Sequence, residues 1–251
     1  MKEVREFREI VYGPVDSWRY GKSLGINLLG KVKRICTFSC IYCELGPFLV
    51  KELKELYFIN RDIFVPSDLI IEEFNKFKNK IFDVITFSGA GEPTLAKNIK
   101  EVLEKIKEIK PGIPVVLLTN ASLLYLEKVR EDILNFDIID VKIDAIDEEI
   151  FKKINKPTES IKIENILIGI RKLKKEFKGK FNIQIMMTHI NLNQIEKLAK
   201  FVSEIKPDEV HLNTPTREPW KKPIPPEILL PLKKYFKDLK VRTPYDYFFN
   251  Y

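Results

Sequence analysis

From residue 66 onward the apolar positions switch repeatedly between two periods. Pro66-Ser67-Asp68 reads as a helix start, and Ile70, Phe74 and Phe77 then keep one face apolar. Phe82 to Ser88 is a short apolar run of the kind a buried strand carries. Asn98 to Lys110 returns to the helical period through Ile99, Val102, Ile106 and Ile109, and Pro114 to Thr119 returns to the strand pattern. The alternation continues with a helix at Ser122 to Leu134, a strand at Asp137 to Asp144, a short helix at Asp147 to Ile154 and a longer one at Ile163 to Phe177. In Phe181 to Thr188, Ile183, Ile185 and Met187 alternate as in a strand; Leu192 to Ile205 is helical and Asp208 to Asn213 is the sixth strand.

Strands separated by helices imply right-handed crossovers and a mainly parallel sheet. Six such units are too few to close an eight-strand barrel, so the expected fold is α/β, an open partial (β/α)6 barrel. Ahead of these units, Val11 to Gly21 is rich in Gly, Pro and aromatics without a lasting period and reads as an ordered loop. It feeds a first buried strand within Leu24 to Lys33. Residues 44–65 form a long connection in which Leu53, Leu56, Phe58, Ile59 and Phe64 give only a weak pattern. After the proline-rich turn from Pro215 to Pro226 come one helix, Pro226 to Phe236, and an aromatic end, Tyr245 to Tyr251. No linker divides the chain, so a single domain over residues 1–251 is expected: loop 1–23, barrel core about 24–214 and extension about 215–251.

Composition narrows the setting. The apolar fraction of 45% can supply a full core in 251 residues. No apolar run approaches a membrane span, and the first residues lack the apolar block of a signal peptide, so the cytoplasm is the expected location. The net charge of +7 permits binding to a polyanion such as tRNA, although the charges are spread along the helices as on a solvated surface. Abundant Lys, Glu and Ile with few Gln, Met and Cys give a thermophilic cast.

All three cysteines fall in eight positions, Cys36-Thr37-Phe38-Ser39-Cys40-Ile41-Tyr42-Cys43, in a loop leaving the first buried strand. Thiolates at C-x3-C-x2-C spacing can converge on one soft metal centre, one ligand short of the four that close a zinc site or a [4Fe-4S] cluster. Three structural thiols, or a zinc site completed by His189 or His211, are the other readings. A reducing compartment suits such ligands, and an exposed cluster calls for anaerobic conditions. A second signal, Phe87-Ser88-Gly89-Ala90-Gly91-Glu92-Pro93-Thr94-Leu95, ends the next strand; its glycines let backbone approach a ligand, or form a tight turn. Further strand ends offer Thr119 and Asn120, Lys142 and Asp144, Met186 to His189, and Asn213 with Thr214. Asn120 is also placed to cap the helix at Ser122. No role is assigned to either histidine.

The cysteine triad ending in Cys43-Glu44-Leu45-Gly46, together with Gly13-Pro14-Val15, Ser23-Leu24-Gly25-Ile26-Asn27, the glycine motif and Leu212-Asn213-Thr214-Pro215-Thr216-Arg217, resembles the radical S-adenosylmethionine (SAM) superfamily, in its wyosine-synthase-related branch of Fe-S oxidoreductases. The resemblance implies that Cys36, Cys40 and Cys43 hold a [4Fe-4S] cluster whose fourth iron chelates SAM. It implies that Gly91, Glu92 and Asn120 orient SAM, that Tyr42 lies against adenine, and that Lys142, Asp144 and Met186 supply softer contacts. Asn213 and Arg217 are the expected substrate contacts. The implied chemistry is reductive cleavage of SAM to a 5'-deoxyadenosyl radical that abstracts hydrogen from a substrate, with tRNA a candidate and with ferredoxin or flavodoxin as reductant. Members that make wyosine carry a second cluster on further cysteines, which this chain lacks, so their substrate does not follow. Two other functions stay open at this point: an activase installing a glycyl radical on a partner protein, and a zinc-stabilised RNA-binding module without catalysis.

Overall fold

Val84–Phe87 and Val115–Thr119 are apolar at nearly every position because strands of a parallel sheet flanked by crossovers are buried on both faces. The computed structural model describes residues 9–31, 34–46, 60–216 and 222–248. One sheet runs through them in chain order: β1 (Val11–Ser17), β2 (Gly21–Ile26), β3 (Val84–Phe87), β4 (Val115–Thr119), β5 (Ile138–Lys142), β6 (Lys180–Met186), β7 (Glu209–Asn213) and β8 (Val241–Arg242). β1 pairs antiparallel with β2, and every later pairing is parallel.

The crossovers carry α1 (Ser67–Asn75), α2 (Ile99–Ile109), α3 (Glu127–Ile133), α4 (Glu148–Asn155), α5 (Ile163–Glu176) and α6 (Ile195–Ile205). Each presents an apolar stripe; α2 buries Ile99, Val102, Leu103 and Ile106 at helical spacing. After β7 come the short α7 (Pro226–Leu229), a 3-10 turn at Leu230–Tyr235, β8 and α8 (Pro244–Phe248).

The sheet curls into a half-barrel, and contacts between distant strands show it. Tyr20, in the β1-β2 turn, donates a hydrogen bond from its hydroxyl to Asp140 of β5 at 3.0 Å, and Asn182 of β6 reaches the same hydroxyl at 3.1 Å. Arg242 of β8 grips the carbonyls of Arg19 and Trp18 at 2.9 and 2.7 Å. The hairpin therefore crosses beneath the curled sheet from its first edge to its last and gives the half-barrel a floor.

Several sequence expectations need correcting. Val11–Ser17 is a strand, not a loop, and the first buried strand ends at Ile26 instead of running on toward Lys33. β1 has mixed burial, interrupted by Gly13-Pro14, so it shows neither a buried run nor a clean alternation. The segment from Ser122 is a series of turns before α3 begins at Glu127, because Ala121 takes φ 66° and redirects the chain. The helix expected over Pro226 to Phe236 is one α-turn followed by a 3-10 turn, with Pro231 removing a helical donor. Leu53, Leu56, Phe58, Ile59 and Arg217 lie outside the described residues.

Candidate functional site

The cysteine loop follows β2 and is fixed from two sides. On one side Ile35 pairs with the glycine turn: its N–H donates to the Ala90 carbonyl at 2.7 Å, and its carbonyl accepts from Glu92 N–H at 2.9 Å. Gly91 lies between, with φ 149°, and a Cβ there would sit 1.6 Å from the Ile35 carbonyl oxygen. Glycine is therefore required at 91 by the approach of the cysteine loop itself. On the other side the loop caps α4. Ser39 N–H donates to the Asn155 carbonyl at 2.9 Å and Ile41 N–H to the Ile154 carbonyl at 2.9 Å, satisfying groups a helix end leaves orphaned. Lys156 takes a left-handed φ of 43° and Pro157 follows, which stops the helix where the loop meets it. Phe38 packs edge-to-face on Phe151 at 5.3 Å.

The thiols of Cys36, Cys40 and Cys43 are free and line one cavity of about 300 Å³. Nitrogen donors point at the Cys36 and Cys40 sulfurs. Phe38 N–H and Asn120 Nδ2 each lie 3.5 Å from Cys36 Sγ; Asn155 Nδ2 lies 3.4 Å and Lys142 Nζ 3.9 Å from Cys40 Sγ. Buried Arg34 holds the loop by donating to the Phe38 carbonyl at 2.7 Å and to the Gly46 carbonyl. Burial pushes the Cys36 thiol up to about 12 and Cys43 upward, against the pull of Arg34. The Cys36 and Cys43 thiols are therefore neutral, and metal binding there displaces their protons. Among the described residues, no three His, Cys, Asp or Glu side chains gather closely enough for a single metal ion. Three soft donors around one cavity fit the chemistry of an iron-sulfur cluster.

Glu92 is buried, and its carboxylate accepts from Thr94 N–H at 3.1 Å, the Thr94 hydroxyl at 2.7 Å, the Thr119 hydroxyl at 2.7 Å and Asn120 N–H at 2.7 Å. It ties the ends of β3 and β4 together; burial pushes its carboxyl up despite those donors. Asn120 Oδ1 accepts from Ser122 N–H at 2.9 Å, closing the turn, while its amide also reaches Thr37 Oγ1 at 3.1 Å. Lys142 ion-pairs with Asp144 at 2.5 Å and lies 4.6 Å from the Tyr42 ring centre, and the Tyr42 hydroxyl donates to Asp144. Burial lowers the Lys142 ammonium, but Asp144 together with the Cys40 and Cys36 sulfurs outweighs it and the net shift is upward. Asp144 also accepts from Met186 N–H at 2.9 Å, so it orders the end of β6.

Tyr42, Gly91, Glu92, Asn120 and Lys142 all line the 300 Å³ cavity with the cysteines. Met186 and Asn213 line an adjoining cavity of about 390 Å³, joined to the first along Arg19, Tyr42, Cys43 and Lys142. Asp144 lies behind both, as a buried anchor. His189 is exposed. His211 is fully buried between Asp140 at 3.0 Å and Glu209 at 3.2 Å, in the wall of the barrel. Sequence reasoning missed Arg34 and Asn155, whose contacts with the cysteine loop depend on the fold.

The class these features define is a half-barrel α/β protein with a cysteine-triad loop at the carboxyl ends of its strands. The family model described as the Radical SAM superfamily matches residues 31–202, and the chain belongs to that family. A UPF0026 protein of Synechocystis is 44% identical over 82% of this chain and 76% of its own length. Among solved structures, Streptococcus suis SuiB bound to S-adenosylmethionine superposes with a TM-score of 0.63 at 18% identity, over 84% of this chain and 48% of SuiB. TYW1 with a lysine-pyruvate adduct bound gives 0.59 at 16% identity, over 88% of this chain and 76% of TYW1. This chain thus spans about half the length of SuiB, and these likenesses establish the fold. No described helix is long and apolar enough to cross a membrane.

Proposed function

We propose that this protein is a radical SAM enzyme in which Cys36, Cys40 and Cys43 hold a [4Fe-4S] cluster and the adjoining cavity receives SAM and a substrate. The observation that carries the reading is the convergence of three free thiols, the glycine turn and the Tyr42, Asn120 and Lys142 side chains on one cavity. A cluster with SAM bound at its open iron supplies reductive cleavage and a 5'-deoxyadenosyl radical.

The chain's own groups bind and orient. The glycine turn offers backbone polar groups to the methionyl end of SAM. Asn120 and Lys142 would meet the carboxylate and ribose, and Lys142 is held in place by Asp144. Tyr42 and the Met186 end of β6 would flank the adenine. Glu92 acts by fixing the Asn120 backbone, since both of its oxygens are engaged by protein donors. The adjoining cavity, with Asn213, is the place for substrate. The β1-β2 hairpin, tied to β8 by Arg242, closes the half-barrel from below. The net charge of +7 favours an anionic substrate, tRNA among them, and a small acidic ferredoxin or flavodoxin as electron donor.

The test is 5'-deoxyadenosine formation, measured by mass spectrometry on anaerobically reconstituted protein with SAM and dithionite, with and without bulk tRNA. Product in both tubes is expected, and a rise with tRNA assigns the substrate class. Product unchanged by tRNA moves the substrate to a metabolite or partner protein. No product from protein carrying a full cluster overturns the reading.

A further inference from the structure

Asn155, the last residue of α4, is 2% exposed although its side chain is an amide, and it faces the cysteine loop. Its Nδ2 has three acceptors in reach: Asp144 Oδ2 at 2.7 Å, the Tyr42 hydroxyl at 3.3 Å and Cys40 Sγ at 3.4 Å. An amide nitrogen carries only two hydrogens. The shortest contact commits one of them to Asp144. The Tyr42 hydroxyl, whose own hydrogen goes to Asp144, competes with Cys40 for the other.

The competition depends on charge on the sulfur. The C-terminal end of α4 turns its carbonyls toward this loop, and a helix C-terminus carries partial negative charge that opposes a thiolate nearby. A metal-bound Cys40 thiolate beside that helix end therefore gains from a donor. Lys142 stands farther off, at 3.9 Å, and is already paired with Asp144. Hydrogen bonds to cluster sulfurs stabilise the more negative, reduced state and so raise the reduction potential.

We propose that Asn155 is a positioning residue that sets the reduction potential of the cluster by donating its second amide hydrogen to Cys40 Sγ. The same nitrogen binds Asp144, which orders Tyr42, Lys142 and the end of β6. Asn155 thereby links the redox poise of the cluster to the side chains proposed to hold SAM. The inference rests on the cluster assignment above, and iron and sulfide analysis of the parent protein tests that assignment separately.

The experiment is an EPR-monitored redox titration of reconstituted parent, Asn155→Leu and Asn155→Ser proteins without SAM, with iron content and thermal melting measured on each. Leu keeps the volume and removes the donor; Ser is the smaller, polar alternative where Leu does not fold. The expected result is a midpoint potential more negative than the parent's in each folded variant, at unchanged iron content. Asn155→Leu is expected to shift at least as far as Asn155→Ser. A midpoint equal to the parent's overturns the proposal. So does loss of iron from both variants with parent-like melting, which would make Asn155 a structural support of the loop.

Discussion

At Gly91 one hydrogen atom decides whether the cysteine loop can dock. A Cβ would overlap the Ile35 carbonyl oxygen, and the φ of 149° is one that side-chain-bearing residues rarely adopt. Gly91→Ala is expected to destabilise the fold by about 2–4 kcal/mol, the combined scale of overpacking and a strained backbone. Urea denaturation measures the loss, and iron content after reconstitution should fall with it. Cys40→Ala separates the two effects: it is expected to abolish cluster binding while leaving the circular dichroism spectrum and melting temperature close to the parent's. Full retention of iron in that variant would contradict the assignment of the triad. The cysteines were legible because their chemistry survives in their spacing. Arg34 and Asn155 were not, since an Arg or Asn becomes informative only when its partner is known, and Asn155 meets Cys40 across 115 residues of chain.

Among elements, those with a buried face announced themselves. The six β-α units were readable because β3 and β4 are runs of apolar residues, β6 alternates apolar with polar ones, and the main helices carry one apolar stripe. β1 and β8 are edge strands, half exposed, and β8 has two residues, so neither leaves a periodic trace. The floor between them depends on Arg242. Arg242→Ala removes two hydrogen bonds from a charged donor and is expected to cost about 2 kcal/mol, read by urea denaturation. Beside that floor, burial alone would push the Asp140 carboxyl up, but His211, Arg19 and Tyr20 outweigh it and hold it below its ordinary value of 3.8. Glu209, bonded to His211 and to Lys180 and Lys240, is also held low. A carboxyl whose value is depressed on folding stabilises the fold in full above its unfolded value and loses that stabilisation as pH falls through its folded one. Stability should therefore decline below about pH 4, and Asp140→Asn should flatten that acid limb in urea titrations across pH.

For the whole molecule, one sheet and one contiguous set of buried side chains run from Val11 to Phe236, with no break in packing among the described residues. Differential scanning calorimetry is expected to show a single cooperative transition; two resolved transitions would divide the chain into separately folding parts.

The latch that makes the floor also has a bearing on synthesis. The backbone hydrogen bonds that join the cysteine loop to the glycine turn and to α4 use residues before 159, whereas the Trp18 and Arg19 carbonyls wait more than 220 residues for the guanidinium of Arg242. On the ribosome the cysteine loop can therefore meet the glycine turn and α4 while the underside of the barrel still gapes. Translation itself orders the two events, with the cluster pocket taking shape first and the seal beneath it arriving with the last strand.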